Sequence, residues 1–484
     1  MSKSINKKVL LTVLILGCFL STLNQTLLNV AFSNLMDVFS ISATTVQWLA
    51  TGFMLVNGVL VPITAYLMKR FSTRQLFLSS MWFLLIGSIV CAIAPNFSVL
   101  LTGRMIQAIG AGIIMPLLMS VVMFIFPPEK RGSMMGFIGL AIIFAPAIAP
   151  TLAGFIIDYY SWRWLFIGMI PFTVIIIVLA MKYLINVSET EKIKLDVVSV
   201  SLSTIGFGLI LYGFSNAGSR GWDDNLVLVT IIVGIVSILI FCLKQLKSPV
   251  PLLNLSVFKN KIFTLTSIIN IIITMMMYAD MVLLPMYLQN GRGFTAFDAG
   301  LLLLPGAVVN AFMSPVTGKL YDRFGAKPLF IIGLIFIIPS MWVVTDLTET
   351  TTYVFLMIRT IFLRVGLSFI TMPLNTASLN SLPRELVTHG TAVNNTLRQM
   401  AGAIGTAVVI TIFTAQTTNH VETLLKETPN TAIEGIRTLA SVLGTSDSYY
   451  FMTILAIIAL VLTLFVPSKL KAKKQFKREV KQRA

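Results

Sequence analysis

Apolar runs of about twenty residues recur along the whole chain, separated by short polar stretches. Each run is long enough to cross a hydrocarbon core of ~30 Å. Fourteen are expected, over roughly residues 9–29, 46–68, 76–95, 98–122, 134–156, 164–185, 197–216, 225–245, 262–287, 298–317, 328–345, 353–375, 397–415 and 448–467. The ~10-residue alternating segments of a transmembrane barrel are missing. The pattern predicts an all-α polytopic membrane protein. The first run has no small-residue cleavage site, so it reads as a retained first helix and not a signal peptide.

The polar stretches carry a repeat. Residues 62–77 read PITAYLMKRFSTRQLF, and residues 315–330 read PVTGKLYDRFGAKPLF. Pro62/Pro315, Thr64/Thr317, Leu67/Leu320, Arg70/Arg323, Phe71/Phe324, Leu76/Leu329 and Phe77/Phe330 coincide in register. Each copy reads as a charged loop joining one run to the next, between runs 2 and 3 and again between runs 10 and 11. Val99, Arg104 and Pro116 of run 4 reappear as Val354, Arg359 and Pro373 of run 12. A duplicated six-helix unit explains both, and paired repeats are how many transporters build a site near the bilayer midplane. The expected organisation is 6+2+6. It has a bundle over 1–185, an inserted helix pair with polar linkers over 186–261, a second bundle over 262–468 and a basic tail over 469–484.

Composition agrees with a membrane protein, since only 11% of residues are charged, against about 25% in soluble proteins. The net charge of +17 would suit nucleic acid, but its placement argues otherwise. With the N-terminus in the cytoplasm, the inner segments and tails hold 28 of the 36 Lys and Arg, and the outer loops hold Arg163, Arg220, Arg292, Lys426 and Arg437. That asymmetry puts both termini in the cytoplasm and sets the tail against anionic lipid. Cys18, Cys91 and Cys242 lie in separate runs without metal-ligand spacing and read as packing residues. No GxxxxGK[ST] phosphate loop, cofactor fingerprint or metal cluster occurs. No cofactor is therefore expected, and the energy must come from an ion or substrate gradient. The long outer segment at 416–447 reads as a surface loop.

A charge inside a span is costly unless it faces a cavity or a partner, so such residues are functional candidates. Run 4 holds Arg104. Run 9 holds Asp280, the one carboxylate expected deep inside a run, among Met275, Met276, Met277, Met281 and Met286. Methionine offers adaptable surface for varied apolar ligands. Arg359 and Arg364 in run 12 are candidate partners for Asp280, and being five apart they do not share a helix face. Run 5 places Ala141, Ala145, Ala149 and Ala153 four apart, beside Pro146, Pro150 and Gly154. Such a smooth face lets a neighbouring helix pack closely and rock.

These motifs resemble those of the major facilitator superfamily. The stretch from Gly318 through Asp322, Arg323 and Gly325 to Lys327 is similar to its GxLxDRxGRR loop. LLTGRMIQAIGAGIIMP in run 4 resembles RxxQGxG, with Arg104, Gln107, Gly110 and Gly112, and Ala108 at the first glycine. GLAIIFAPAIAPTLAGF in run 5 resembles the exporters' GxxxGPxxGPxxGG, with alanine at several glycine positions. SWRWLF at 161–166, KLDVVS at 194–199 and YLQNGRGFTAFDAGLLLLPGA at 287–307 resemble the EmrB/QacA group of fourteen-helix drug:proton antiporters. LNQTLLNVAF and WLATGFMLVNG resemble its lincomycin-resistance type.

The resemblance implies a monomeric, multi-pass transporter of the bacterial cell membrane, with no enzymatic activity and no nucleic-acid partner. It would export amphipathic drugs or dyes in exchange for protons by alternating access. The alternative is a specific exporter of a metabolite, lipid or siderophore. In this reading Asp280 and Arg104 couple protons, while Asn24, Gln25, Asn29, Gln107, Met277, Met281, Arg359 and Arg364 line the substrate cavity. Asp322, Arg323, Gly318, Gly325 and Arg70 gate one side, with Asp322 capping the following helix and pairing with the nearby Arg323. Ala145, Pro146, Ala149, Pro150 and Gly154 form the sliding face. Two departures matter. Lys69 stands at the place of Asp322 in the first copy, with Ala65 and Ser72 at its glycine places, so an acidic clamp is expected only in the second copy. Asn24 stands where many relatives have Asp in run 1. An amide cannot exchange a proton, which moves the expectation to Asp280.

Overall fold

Fourteen long helices occupy the positions of the apolar runs in the computed structural model, which describes residues 7–41, 43–46, 48–187, 196–248, 251–294, 296–348, 350–427 and 433–467. They are α1 (Lys7–Leu27), α2 (Trp48–Arg70), α3 (Thr73–Ala92), α4 (Phe97–Ile125), α5 (Pro128–Tyr159), α6 (Met169–Tyr183), α7 (Val197–Arg220), α8 (Asn225–Lys247), α9 (Lys261–Met286), α10 (Ala296–Phe324), α11 (Ala326–Trp342), α12 (Tyr353–Asn380), α13 (Val387–Glu427) and α14 (Ile433–Leu464). No strand occurs among the described residues. Among the described residues, twelve helices are long and apolar enough to cross a membrane, thirteen when the bent segments Trp48–Leu60 and Ile63–Arg70 count as one span. The basic tail at 469–484 lies outside the described residues, as do the side chains of Asn29 and Pro150.

Local chemistry sets the helix starts. Ser72 and Gln75 form a reciprocal capping box at α3. Asn96, Asn260 and Thr352 cap α4, α9 and α12 with their side-chain oxygens. Pro128 opens α5, where a missing N–H costs nothing. The repeated stretches are mostly helix, not loop. Residues up to Arg70 and Phe324 continue α2 and α10, and only Phe71–Ser72 and Gly325 make the turns. Gly325 has φ 85°, a left-handed backbone that glycine adopts without a Cβ penalty. The segment at 416–447 also departs from expectation. Its described residues, up to Glu427 and from Ile433, prolong α13 and α14 as helices, with His420 Nε2 2.9 Å from Asp447 Oδ2 between them.

The buried apolar residues fall into two cores. One is built from α1–α6 with Phe241 of α8 and the linker after it, and the other from α9–α14. The first core also takes in Phe263, Leu379, Leu382, Val387, Ala392 and Val393 of the second half. All six lie at the ends of α9, α12 and α13 that share a side with the two repeated turns, here the loop end. The most extensive helix contact in the molecule, α5 on α10, joins the two halves. The structure is thus closed at its loop end.

Helices α7 and α8 pack on each other, and α7 leans on α2 and α13. Their apolar outer faces are left uncovered, as lipid contact requires. Asp196 caps α7 through Ser199 and meets Lys244 Nζ of α8 at 2.7 Å. Burial opposes its charge, but hydrogen bonds from Lys244 and Ser199 and the Lys244 charge outweigh it and hold the carboxyl at about 2. A depressed folded value means the contribution is complete above the ordinary 3.8 and is lost as pH falls through about 2. The pair is about one-third exposed, so its effect is small. Asp196→Asn is expected to lower Tm by a few degrees or less at neutral pH, with the difference vanishing in acid; an equal deficit at both pH values would contradict this.

Candidate functional site

Asp280 lies six residues before the end of α9, about 9 Å along the helix from it. It is nearer the end opposite the loops than its apolar sequence surroundings suggest. It is nevertheless 1% exposed, and it is the only buried carboxylate among the described residues. Arg359 Nη1 of α12 meets Asp280 Oδ1 at 2.7 Å, and Tyr449 Oη of α14 donates to the same oxygen at 3.0 Å. Arg359 is held from behind. Its Nε donates to the Ser340 carbonyl at 2.7 Å, its Nη2 lies 3.3 Å from Met341 Sδ, and its guanidinium sits 4.9 Å from the centre of the Tyr449 ring. Asp280 Oδ2 is buried with no hydrogen-bond partner. A buried ion pair is stable only when the remaining lone pairs are also satisfied. This one leaves half the carboxylate unserved.

The first half contains the same construction without the acid. Arg104 of α4 is 1% exposed. Its Nη1 donates to Asn24 Oδ1 at 2.9 Å, to the Asn24 carbonyl at 3.2 Å and to Gln107 Oε1 at 2.9 Å. Its guanidinium lies 4.6 Å from the centre of the Phe53 ring. Gln107 passes a hydrogen bond on to Ser88 Oγ at 2.9 Å. Arg104 and Arg359 are repeat equivalents, and so are Asn24 and Asp280. NQTLL at 24–28 and DMVLL at 280–284 share their two leucines, and Asn24 and Asp280 each meet the arginine of their own half. Each half therefore holds an arginine of its fourth helix against a residue of its first. Arg104 makes no ion pair among the described residues, and its Nε has no partner. Asn24→Asp would complete that pair. A Tm at least ~2 °C above wild type is expected in a thermal-shift assay, and an unchanged or lower Tm would show that the amide already suffices.

At the loop end, Asp322 of α10 reaches across to α5. Its Oδ1 accepts from Gly132 N at 2.8 Å, and its Oδ2 accepts from Ser133 N at 2.7 Å and from Ser133 Oγ at 2.5 Å. The donors are the fifth and sixth residues of α5, just beyond its first turn. The sequence suggested that Asp322 caps the following helix, but the N-cap of α11 is Gly325 with no side-chain bond. The clamp acts between halves. The backbones approach closely there. A Cβ placed on Gly132 would meet the Gly318 carbonyl oxygen at 2.5 Å, and one on Gly318 would strike the Gly132 carbonyl. Arg131 adds a bond from Nη1 to Asn380 Oδ1 at 2.6 Å.

A model of the Major Facilitator Superfamily matches residues 14–406. The chain belongs to that superfamily. Among curated relatives, this facilitator is 45% identical to the lincomycin resistance protein LmrB of Bacillus subtilis (strain 168), over 94% of each chain. It is 27% identical to the multidrug export protein EmrB of Escherichia coli (strain K12), over 85% of this chain and 81% of the relative. These relatives set it in the EmrB/QacA-type group. Among solved structures, the proton:xylose symporter XylE superposes with a TM-score of 0.64 at 15% identity, over 95% of this chain and 96% of that one. At that identity the likeness shows the fold alone. The facilitator is a multi-span transporter of a bacterial cell-membrane family, and not an enzyme.

The other sequence candidates scatter. Asn24 and Gln107 were expected in a substrate cavity, yet both are buried inside the first bundle and committed to Arg104. Arg359 likewise faces the interior of the second bundle. Met281 is 53% exposed and points outward from α9. Gln25 and Met277 are half-buried. Arg364 makes no ion pair with Asp280 among the described residues, and its Cγ packs against Gly306 of α10. Arg70 and Arg323 are exposed. On α5, Ala145 and Ala149 are fully buried in the first core, toward α1, with Pro146 half-buried. A Cβ on Gly154 would meet nothing within 4 Å. The face of α5 that meets the other half is the opposite one, carrying Gly132, Gly136 and Gly139 against Ser314 and Gly318. Tyr449 and Ser133 were missed. Neither belongs to a recognisable spacing, and only the fold brings them to a carboxylate.

Proposed function

We propose that this facilitator exports amphipathic drugs in exchange for protons, and that the Asp280–Arg359 pair is its coupling element. The observation that carries the reading is the half-satisfied carboxylate. Asp280 is the only buried acid among the described residues, bonded at one oxygen and unpartnered at the other. A charged Asp280 draws α9 and α12 together through Arg359. A protonated one releases that attraction, while Arg359 keeps the Ser340 carbonyl and the Tyr449 ring. A proton can therefore reset the packing of two helices in one bundle. With the loop end in the cytoplasm, the Asp322 clamp on α5 closes that side, and its release would admit substrate. The drug-resistance names of LmrB and EmrB support a drug as cargo.

The test uses the full chain in proteoliposomes with three amphiphiles: ethidium, dansylaminoundecanoic acid and the uncharged methyl ester of that acid. At least one should accumulate against its gradient when a pH gradient is imposed, and cease when the gradient is collapsed. Transport indifferent to pH would refute the coupling, and no transport of any of the three would refute export of amphiphiles.

A further inference from the structure

Several arginines lie in the interior of the spanning helices. Arg104, Arg359, Arg364 and Arg398 all lie within spanning helices, and Asp280 is the only buried carboxylate among the described residues. It is committed to Arg359 at 2.7 Å. Arg364 stands eleven residues into α12 and Arg398 eleven residues into α13, each about 17 Å from its helix start. That is about half the depth of a ~30 Å core. Both are half-buried, and neither makes an ion pair among the described residues.

Around Arg364 the polar atoms are unserved. Its Nε is buried with no hydrogen-bond partner, and so are Thr360 Oγ1 and Asn310 Oδ1. Thr360 is 0% and Asn310 5% exposed. Arg364 and Thr360 meet Gly306 at one seam. A Cβ on Gly306 of α10 would lie 3.0 Å from Arg364 Cγ and 3.1 Å from Thr360 Cγ2, and Asn310 is one turn beyond Gly306 on the same face. The α12 face bearing Thr360 and Arg364 continues through Ser368, Thr371 and Asn375, a polar stripe in an apolar helix. The one carboxylate that acts electrostatically on Arg364 is Asp280, already held by Arg359. A cation kept at this depth with open donors demands an anion.

We infer that the seam between α10 and α12, with Arg364 as its cation and Asn310 and Thr360 beside it, receives the anionic group of an amphipathic substrate. A carboxylate or phosphate on an apolar body is the chemistry that fits. This deepens the export reading and rests on it.

The acid and its methyl ester share one apolar body and differ by one charge. Binding to the purified full chain in nanodiscs is followed by dansyl fluorescence for wild type, Arg364→Gln and Arg364→Lys. Wild type should bind the acid at least tenfold more tightly than the ester. Arg364→Gln should remove that preference by weakening the acid, with a thermal unfolding midpoint and size-exclusion profile matching wild type showing an intact fold. Arg364→Lys should keep part of it. Equal binding of acid and ester by wild type, or an unchanged preference in Arg364→Gln, would overturn the inference. Displacement of the acid by phosphatidylglycerol would mark a lipid headgroup as the source of the anion, and no displacement a free amphiphile; either supports the site. In the transport assay, movement of the ester or ethidium without the acid sinks this inference alone. Failure of all three sinks the export reading with it.

Discussion

Asp280→Asn is expected to abolish pH-gradient-driven accumulation of whichever amphiphile the wild type carries, while its movement down its own gradient stays within about twofold. The amide keeps the shape and an acceptor for Arg359 but cannot take up a proton. The fold should tolerate it, because the first half already holds an arginine against an asparagine at the equivalent place, Arg104 on Asn24 at 2.9 Å. Asp280→Ala is a different experiment. It leaves Arg359, 4% exposed, without its counter-ion, and breaking a buried pair from one side costs about 3–5 kcal/mol. That variant should lose folded protein as well as coupling. Gradient-driven accumulation at wild-type rates in Asp280→Asn would remove Asp280 from the coupling step.

The second large effect is expected at the clamp. Asp322→Ala deletes acceptors for two backbone N–H groups and one hydroxyl, and hydrogen bonds to a charged group contribute about 1.5–3 kcal/mol each. A loss on that scale shifts a two-state equilibrium by two orders of magnitude or more. Spin labels on Lys130→Cys at α5 and Lys319→Cys at α10 should give a single short distance with Asp322 present and a broad, longer one in Asp322→Ala. Transport should fall at least tenfold. Gly318→Leu should open the same end by collision with the Gly132 backbone. A distance distribution unchanged by either substitution would show that the loop end is held shut by apolar contacts alone.

Much of this was legible in the chain. Hydrophobic run length places fourteen helices, because each must supply its own backbone hydrogen bonds in lipid. Intramembrane cost singles out Arg104, Asp280, Arg359 and Arg364. Partners and faces are harder to read. Asp322 meets residues about 190 positions away, and no local rule says which helix it will bind. The small-residue pattern of α5 is two-sided. The alanines are conspicuous in sequence but serve the internal packing of their own bundle, whereas the separated Gly132, Gly136 and Gly139 meet the other half. Asn24 and Gln107 look like ligands for a substrate because the buried arginine that uses them is invisible in spacing alone. NQTLL and DMVLL share only two leucines, too little in an apolar chain to pair Asn24 with Arg104 or Asp280 with Arg359.

The central claim is that drug and proton compete through Asp280. The most direct measurement is proton release on adding the transported amphiphile to purified protein in weakly buffered solution, read with a pH-sensitive dye, for wild type beside Asp280→Asn. The account predicts a proton released by the wild type and none by the variant, with amphiphile bound by both. Equal release from the two proteins, or binding by the wild type with no release, would contradict it.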